Sequence, residues 1–277
     1  MFQHRVAFCA TITLLLPLIL AGQKAPTTRE MNLINWQEFQ EFVPGKIETV
    51  LLATGTVEPH GAIPNGSDNL APEAMARALA GDLNALIAPT LNFGVTGAMK
   101  AFPGALAISP EAYGPFIRDI LRSLARNGFI NIIILNGHGG PQSPLLQQAA
   151  DDISLEQQVR ILVVNWWSLV SEETFAVFGE NGGHAGNNET AYIQAVVPDH
   201  IHPDRYRKDM ATPNPVDNAW HAVPFPSSIG LYEEGQGYPT FDPRQSRDYF
   251  NRVNRRVLAL VKDIITKWDQ AGLYRGD

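Results

Sequence analysis

Glu58-Pro59-His60-Gly61, with Asp68 eight residues beyond His60, gathers two carboxylates and an imidazole into one short stretch. Residues two apart in an extended backbone point to the same side, and proline at 59 biases Glu58 toward extended geometry, so Glu58 and His60 should project together. Such a pair can make half of a metal site or an acid/base couple; taken alone, the tripeptide reads more readily as a surface Glu and His in a loop. Two further histidines sit among glycines, in Asn136-Gly137-His138-Gly139-Gly140 and in Gly182-Gly183-His184-Ala185-Gly186-Asn187-Asn188-Glu189-Thr190. Glycines there let the backbone pass close to a bound group, although a tight turn with an exposed histidine explains the first of these motifs as well. The second also reads as a helix start, with Asn187 or Asn188 as cap and Glu189 favoured in the first turn. That reading accounts for the asparagines and the glutamate but not for His184. His200, His202 and His221 lie in proline-rich segments and read as surface residues.

The elements around these motifs alternate between strands and helices. Trp36, Phe39 and Phe42 have helical spacing, and Pro44-Gly45 ends that segment. An apolar strand is expected over 48–54, then a helix capped by Ser67 or Asp68 that runs to about Leu83 with Leu70, Ala74, Met75, Ala78 and Leu79 inward. A strand is expected over 86–91, a helix from Ser109-Pro110 to Asn127-Gly128, and a buried strand over 129–135, whose β-branched run suits a parallel sheet covered on both faces. A helix over 143–152, a strand over 159–165, a helix over 188–197, long loops over 198–243 and an amphipathic helix over 244–268 complete the chain. Its inner stripe is expected to be Val253, Val257, Leu260 and Ile264. This order implies an α/β fold: a single three-layer α/β/α domain with a mostly parallel sheet. Ligands of such sheets bind at the carboxyl ends of the strands, the edge where both His60 and His138 fall.

The chain of 277 residues is 45% hydrophobic and 18% charged, with a formal net charge of −7, which gives no footing for nucleic acid or an anionic membrane as partner. At the N-terminus, Arg5 precedes an apolar run from Phe8 to Ala21, small residues follow, and a polar segment begins at Gln23. These are the parts of a secretory signal peptide, and the run is short of the roughly 20 residues that span a bilayer. Residues 1–25 are therefore expected to be a cleaved export signal, with no stable membrane insertion, and residues 26–277 a periplasmic or secreted domain. The only cysteine, Cys9, would leave with the signal.

Glu-x-His-Gly with its following Asp, Asn-Gly-His-Gly-Gly after a buried strand, and His-Ala-Gly-x-x-Glu-Thr, taken in this order, resemble the creatininase family. Phe102-Pro103-Gly104, Asn165-Trp166-Trp167 and the stretch from Gly237 to Pro243 extend the likeness over nearly the whole mature chain. The resemblance implies a metal-dependent hydrolase that cleaves a linear or cyclic amide C–N bond of a small molecule through a metal-activated water, with two neighbouring divalent ions (Zn, Mn or Fe). It implies Glu58 and His138 as ligands of one ion, His60 as ligand of the other, and Asp68 as the bridge. His184 is placed as the acid that protonates the departing nitrogen, and Glu189 as its support or an extra ligand, the supporting role being preferred. Thr96, Trp166 and Trp167 are expected at the substrate, and a homo-oligomer, as large as a hexamer, is implied. Three departures matter. Gly140 stands where creatininase itself carries a glutamate ligand, so the ion beside His60 is expected to be labile. Asn187 replaces a glutamate, and Thr96-Gly97-Ala98-Met99 lacks two polar groups of the substrate loop, which argues against creatinine as substrate. A non-catalytic exported binding protein that keeps the metal cradle stays open beside the enzyme.

Overall fold

The structure is a computed structural model, and it describes residues 25–212, 219–227 and 237–274. Apart from Ala25, the expected export signal lies outside the described residues. In chain order the elements are α1 (Trp36–Phe42), β1 (Thr49–Thr54), α2 (Ser67–Leu79), β2 (Ala85–Ile87), α3 (Pro110–Arg126), β3 (Asn131–Asn136), α4 (Gln142–Gln157), β4 (Arg160–Asn165), α5 (Trp166–Leu169), α6 (Ser171–Phe178), α7 (Asn187–Val196) and α8 (Pro243–Gln270). The four strands form one parallel sheet in the order β2-β1-β3-β4.

Alternation along the strands sorts the core into two halves. Leu51, Ile133, Leu135 and Val164 point to one face, where Met75 and Leu79 of α2, Tyr192 and Ile193 of α7, and Tyr249, Val253, Val257 and Val261 of α8 cover them. Val50, Leu52, Ile132 and Ile134 point to the other face, against Phe42 of α1, Tyr113, Ile117 and Leu121 of α3, and Leu146 and Ile153 of α4. Because both faces are covered, the strands read as unbroken apolar runs. At about 1.5–3 kcal/mol for each large apolar side chain removed from water, these two layers hold the sheet edge in place.

Several boundaries differ from the sequence reading, each for a visible reason. β2 ends at Ile87 rather than continuing to 91. Pro89 has no amide hydrogen, yet the chain stays alongside β1, with Ala88 N donating to Leu51 O at 2.9 Å and Leu91 N to Ala53 O at 3.0 Å. α2 stops at Leu79, and Ala78 is exposed, so its inner face is Ala71, Met75 and Leu79. α4 runs to Gln157, five residues past the expected end at 152. The buried spine of α8 is Tyr249-Val253-Val257-Val261, at strict four-residue spacing, while Leu260 and Ile264 are half-buried. The short helices α5 and α6 follow β4 directly and were not expected.

The first turn of α2 is wedged between the strand ends. Glycine is required at both 55 and 137, because a Cβ at either would collide with the backbone carbonyl of Asp68. Gly137→Ala must therefore push Asp68 away from the sheet edge. We expect it to destabilise the protein by about 1–3 kcal/mol, read by thermal or urea unfolding, and to weaken divalent-metal binding in step.

Candidate metal centre

The expected edge of the sheet is where the polar residues meet. Thr54, Asn136 and Asn165 end β1, β3 and β4 in register. Beyond them, Glu58, His60, Asp68 and His138 are buried, and His184 and Glu189 are nearly so, with side chains 16% and 14% exposed. Three triplets have their ligand atoms within 4.8 Å of one another: Glu58-Asp68-His138, His60-Asp68-Glu189, and Glu58-His60-His184.

Each histidine is oriented by one ring nitrogen so that the other faces carboxylates. Nδ1–H of His60 donates to the carbonyl of Glu58 at 2.9 Å, which leaves Nε2 at 3.0 Å from Oδ1 of Asp68 and 3.7 Å from Oε2 of Glu189. Nε2–H of His138 donates to the carbonyl of Val95 at 3.1 Å, and its Nδ1 stands 3.0 Å from Oδ2 of Asp68 and 3.3 Å from Oε1 of Glu58. Nε2–H of His184 donates to the carbonyl of Pro59 at 2.7 Å, and its Nδ1 lies 3.5 Å from Oε1 of Glu58. A backbone carbonyl fixing the distal nitrogen is the usual outer support of a metal-ligating imidazole.

A second layer of bonds holds His138. Asn136 Nδ2 donates to the His138 carbonyl at 2.7 Å and to Oδ1 of Asn165 at 2.7 Å, while Asn136 Oδ1 accepts from the His138 amide and from Gln142 Nε2, both at 3.2 Å. Gln142 Oε1 in turn accepts from the amide of Val95 at 3.2 Å, the residue whose carbonyl fixes the His138 ring. Asp68 is free to face the site because it does not cap α2: the N-cap is Gly66, and Ser67 Oγ donates to the Pro64 carbonyl at 2.6 Å. Glu189 has two duties. Its Oε2 accepts from the amide of Ala185 at 2.7 Å, closing the start of α7, and the same oxygen faces His60 rather than serving His184.

The electrostatics follow from burying three carboxylates together. Burial opposes charge on His60, but Asp68, Glu189 and Glu58 outweigh it and push the imidazole up to about 10. His138 is raised well above its ordinary value against the same burial by Asp68 and Glu58. Asp68 is held well below the carboxylate range despite its burial, because His60 and His138 flank it. Burial, and then the neighbouring His60, bring His184 down to about 4, and burial pushes Glu189 up to about 7.

These residues fit a divalent metal. Oδ2 of Asp68 is buried without a hydrogen-bond partner and faces Nδ1 of His138. With Nε2–H committed to Val95, a neutral His138 presents a lone pair to that oxygen. Two acceptors at this separation need a proton or a cation between them, and the raised histidines are the proton's version of that demand.

Of the residues expected at the substrate, only Trp167 lines the cavity beside this cluster, which has a volume of about 690 Å³. Thr96 is buried, its hydroxyl 2.9 Å from that of Thr56. Trp166 is buried in the core, its ring 5.2 Å from Tyr192. The two tryptophans part because β4 ends at Asn165: helical geometry turns successive side chains about 100° apart, so one enters the core and the next the cavity. His200, His202 and His221 are exposed as expected, yet His221 also lines the cavity. Trp220 and Phe225, further wall residues, carried no signal in sequence because no periodic element contains them.

The family model for creatininase, creatinine amidohydrolase, matches residues 32–248. The protein belongs to the creatininase family. Creatinine amidohydrolase of Pseudomonas putida is 25% identical over 192 residues, covering 62% of this chain and 73% of that one. The mycofactocin precursor peptide peptidase of Mycobacterium ulcerans is 25% identical over 183 residues, covering 62% and 67%. A manganese creatininase structure superposes with a TM-score of 0.74 at 20% identity, covering 85% of this chain and 98% of that one, and so shares its fold.

Proposed function

We propose that this protein is an exported, divalent-metal-dependent amidohydrolase that cleaves an amide C–N bond in a small molecule other than creatinine. The observation that carries the proposal is the pair of three-residue ligand clusters sharing Asp68. Glu58, Asp68 and His138 would hold one ion, and His60, Asp68 and Glu189 the other. When bound, such ions acidify water and polarise a scissile carbonyl. Counting Glu189 as a ligand changes the expectation about the second ion, since each cluster offers three protein donors even with glycine at 140. The apolar run from Phe8 to Ala21 supports export, and the family resemblance supports assembly as a homo-oligomer.

His184 moves the proton. Its Nε2–H is committed to Pro59, and burial keeps the ring neutral at pH 7, so Nδ1 is an empty base facing the cluster. It takes a proton from the attacking water and, then a strong acid, delivers it to the departing nitrogen. His184→Ala should retain its metal, measured by elemental analysis, while turnover of a cleavable amide falls by about 10²–10⁴. Loss of metal in this variant would make His184 a ligand through the Glu58-His60-His184 triplet and remove it from proton transfer. Bound metal with no turnover across a broad panel of amides and lactams would favour the non-catalytic binding protein.

A further inference from the structure

The cavity over the cluster is much larger than a minimal amide needs, and part of its wall away from the carboxylates is aromatic. Trp220 and Phe225 stack with ring centroids 5.5 Å apart, and both line the cavity, as do Met99 and Trp167. Trp167 lies against the histidine motif itself: a Cβ on Gly139 would come within 3.3 Å of its ring. Next to it, Gly140 opens the wall, with nothing within 4 Å of where a side chain would start. Among the described residues, those that line the cavity include no lysine or arginine. Beyond the metal ligands the wall carries neutral polar groups, among them Ser168, Ser171, Thr174 and Asn188, and an apolar and aromatic part made by Trp220, Phe225, Trp167 and Met99.

We infer that the substrate amide carries an aromatic or bulky apolar group, seated on the shelf formed by Trp220, Phe225, Trp167 and Met99 and accommodated by the opening at Gly140. The inference rests on the metal-hydrolase reading, and a pair of chelating probes separates the two. Acetohydroxamate and 3-phenylpropanohydroxamate present the same metal-binding group and differ in the phenyl arm. Titrated calorimetrically into the metal-loaded full chain, the phenyl compound should bind about tenfold to a hundredfold more tightly. The double variant Trp220→Ala/Phe225→Ala should cut that ratio to about threefold or less and leave acetohydroxamate unchanged. Trp220→Ala alone, at a residue 38% exposed, reduces the ratio in the same direction if the double variant does not fold. Equal binding of the two probes, or an unchanged ratio in either variant, overturns the aromatic shelf and leaves the metal reading standing. Binding of neither probe overturns the metal reading beneath it.

Discussion

Asp68→Asn should empty both metal positions at once, whereas Glu189→Gln should remove one ion and leave the other. Asp68 is the only residue common to the two clusters proposed for the ions, with Oδ1 turned to His60 and Oδ2 to His138, each at 3.0 Å. An asparagine keeps the shape but offers one oxygen and a donor amide, so one of the two lone-pair nitrogens facing it meets an N–H instead of a shared cation. Glu189 faces only the His60 side. We expect metal content near zero in Asp68→Asn and about half the wild-type value in Glu189→Gln. Turnover in Asp68→Asn should fall by about 10³ or more, since the lost electrostatic stabilisation is several kcal/mol. Elemental analysis after gel filtration reads the first, and amide hydrolysis the second. Retention of wild-type metal by Asp68→Asn would end the shared-carboxylate reading, and an unchanged count in Glu189→Gln would return Glu189 to a purely structural role at the start of α7.

How far sequence reached into this site depends on whether local geometry or packing makes each contact. Glu58 and His60 were placed together by alternation over three residues, and the fold puts both side chains into one cluster. His138 was legible because it directly follows an unbroken apolar strand, and parallel topology brings all strand ends of that kind to one edge. The facing of Glu189 toward His60 was not legible: 129 positions separate them in the sequence numbering, and only the packing of α7 against α2 brings them close. The Val95 and Pro59 carbonyls that orient His138 and His184 belong to loops, where residue type says nothing about which way a carbonyl points. Asn136 and Gln142 carried no periodic signal, although they tie His138 to Val95.

The raised histidines put protons where the proposed ions would sit, and this sets how metal affinity should change with pH. His60, raised to about 10 in the folded protein against an unfolded value of 6.5, contributes stability fully present below pH 6.5 and lost as pH rises through about 10. His138, raised as well, acts in the same sense. Asp68, lowered, contributes stability present above its unfolded value of 3.8 and lost progressively as pH falls from there through its depressed folded value. The metal-free protein should therefore be most stable in weakly acidic to neutral solution and lose several kcal/mol by pH 10–11. Metal must displace the protons on His60 and His138, so its apparent affinity should rise with pH, by up to about a hundredfold per unit between pH 7 and 9 if both are displaced. Calorimetry of Zn or Mn binding at pH 7.5, in buffers of different ionisation enthalpy, should show release of about two protons per protein. The melting temperatures of metal-loaded and metal-free protein should draw apart as pH rises. A binding constant independent of pH, with no proton released, would mean that the two histidines already present free lone pairs to the cluster and that the carboxylates around them do not hold protons on the imidazoles against their burial.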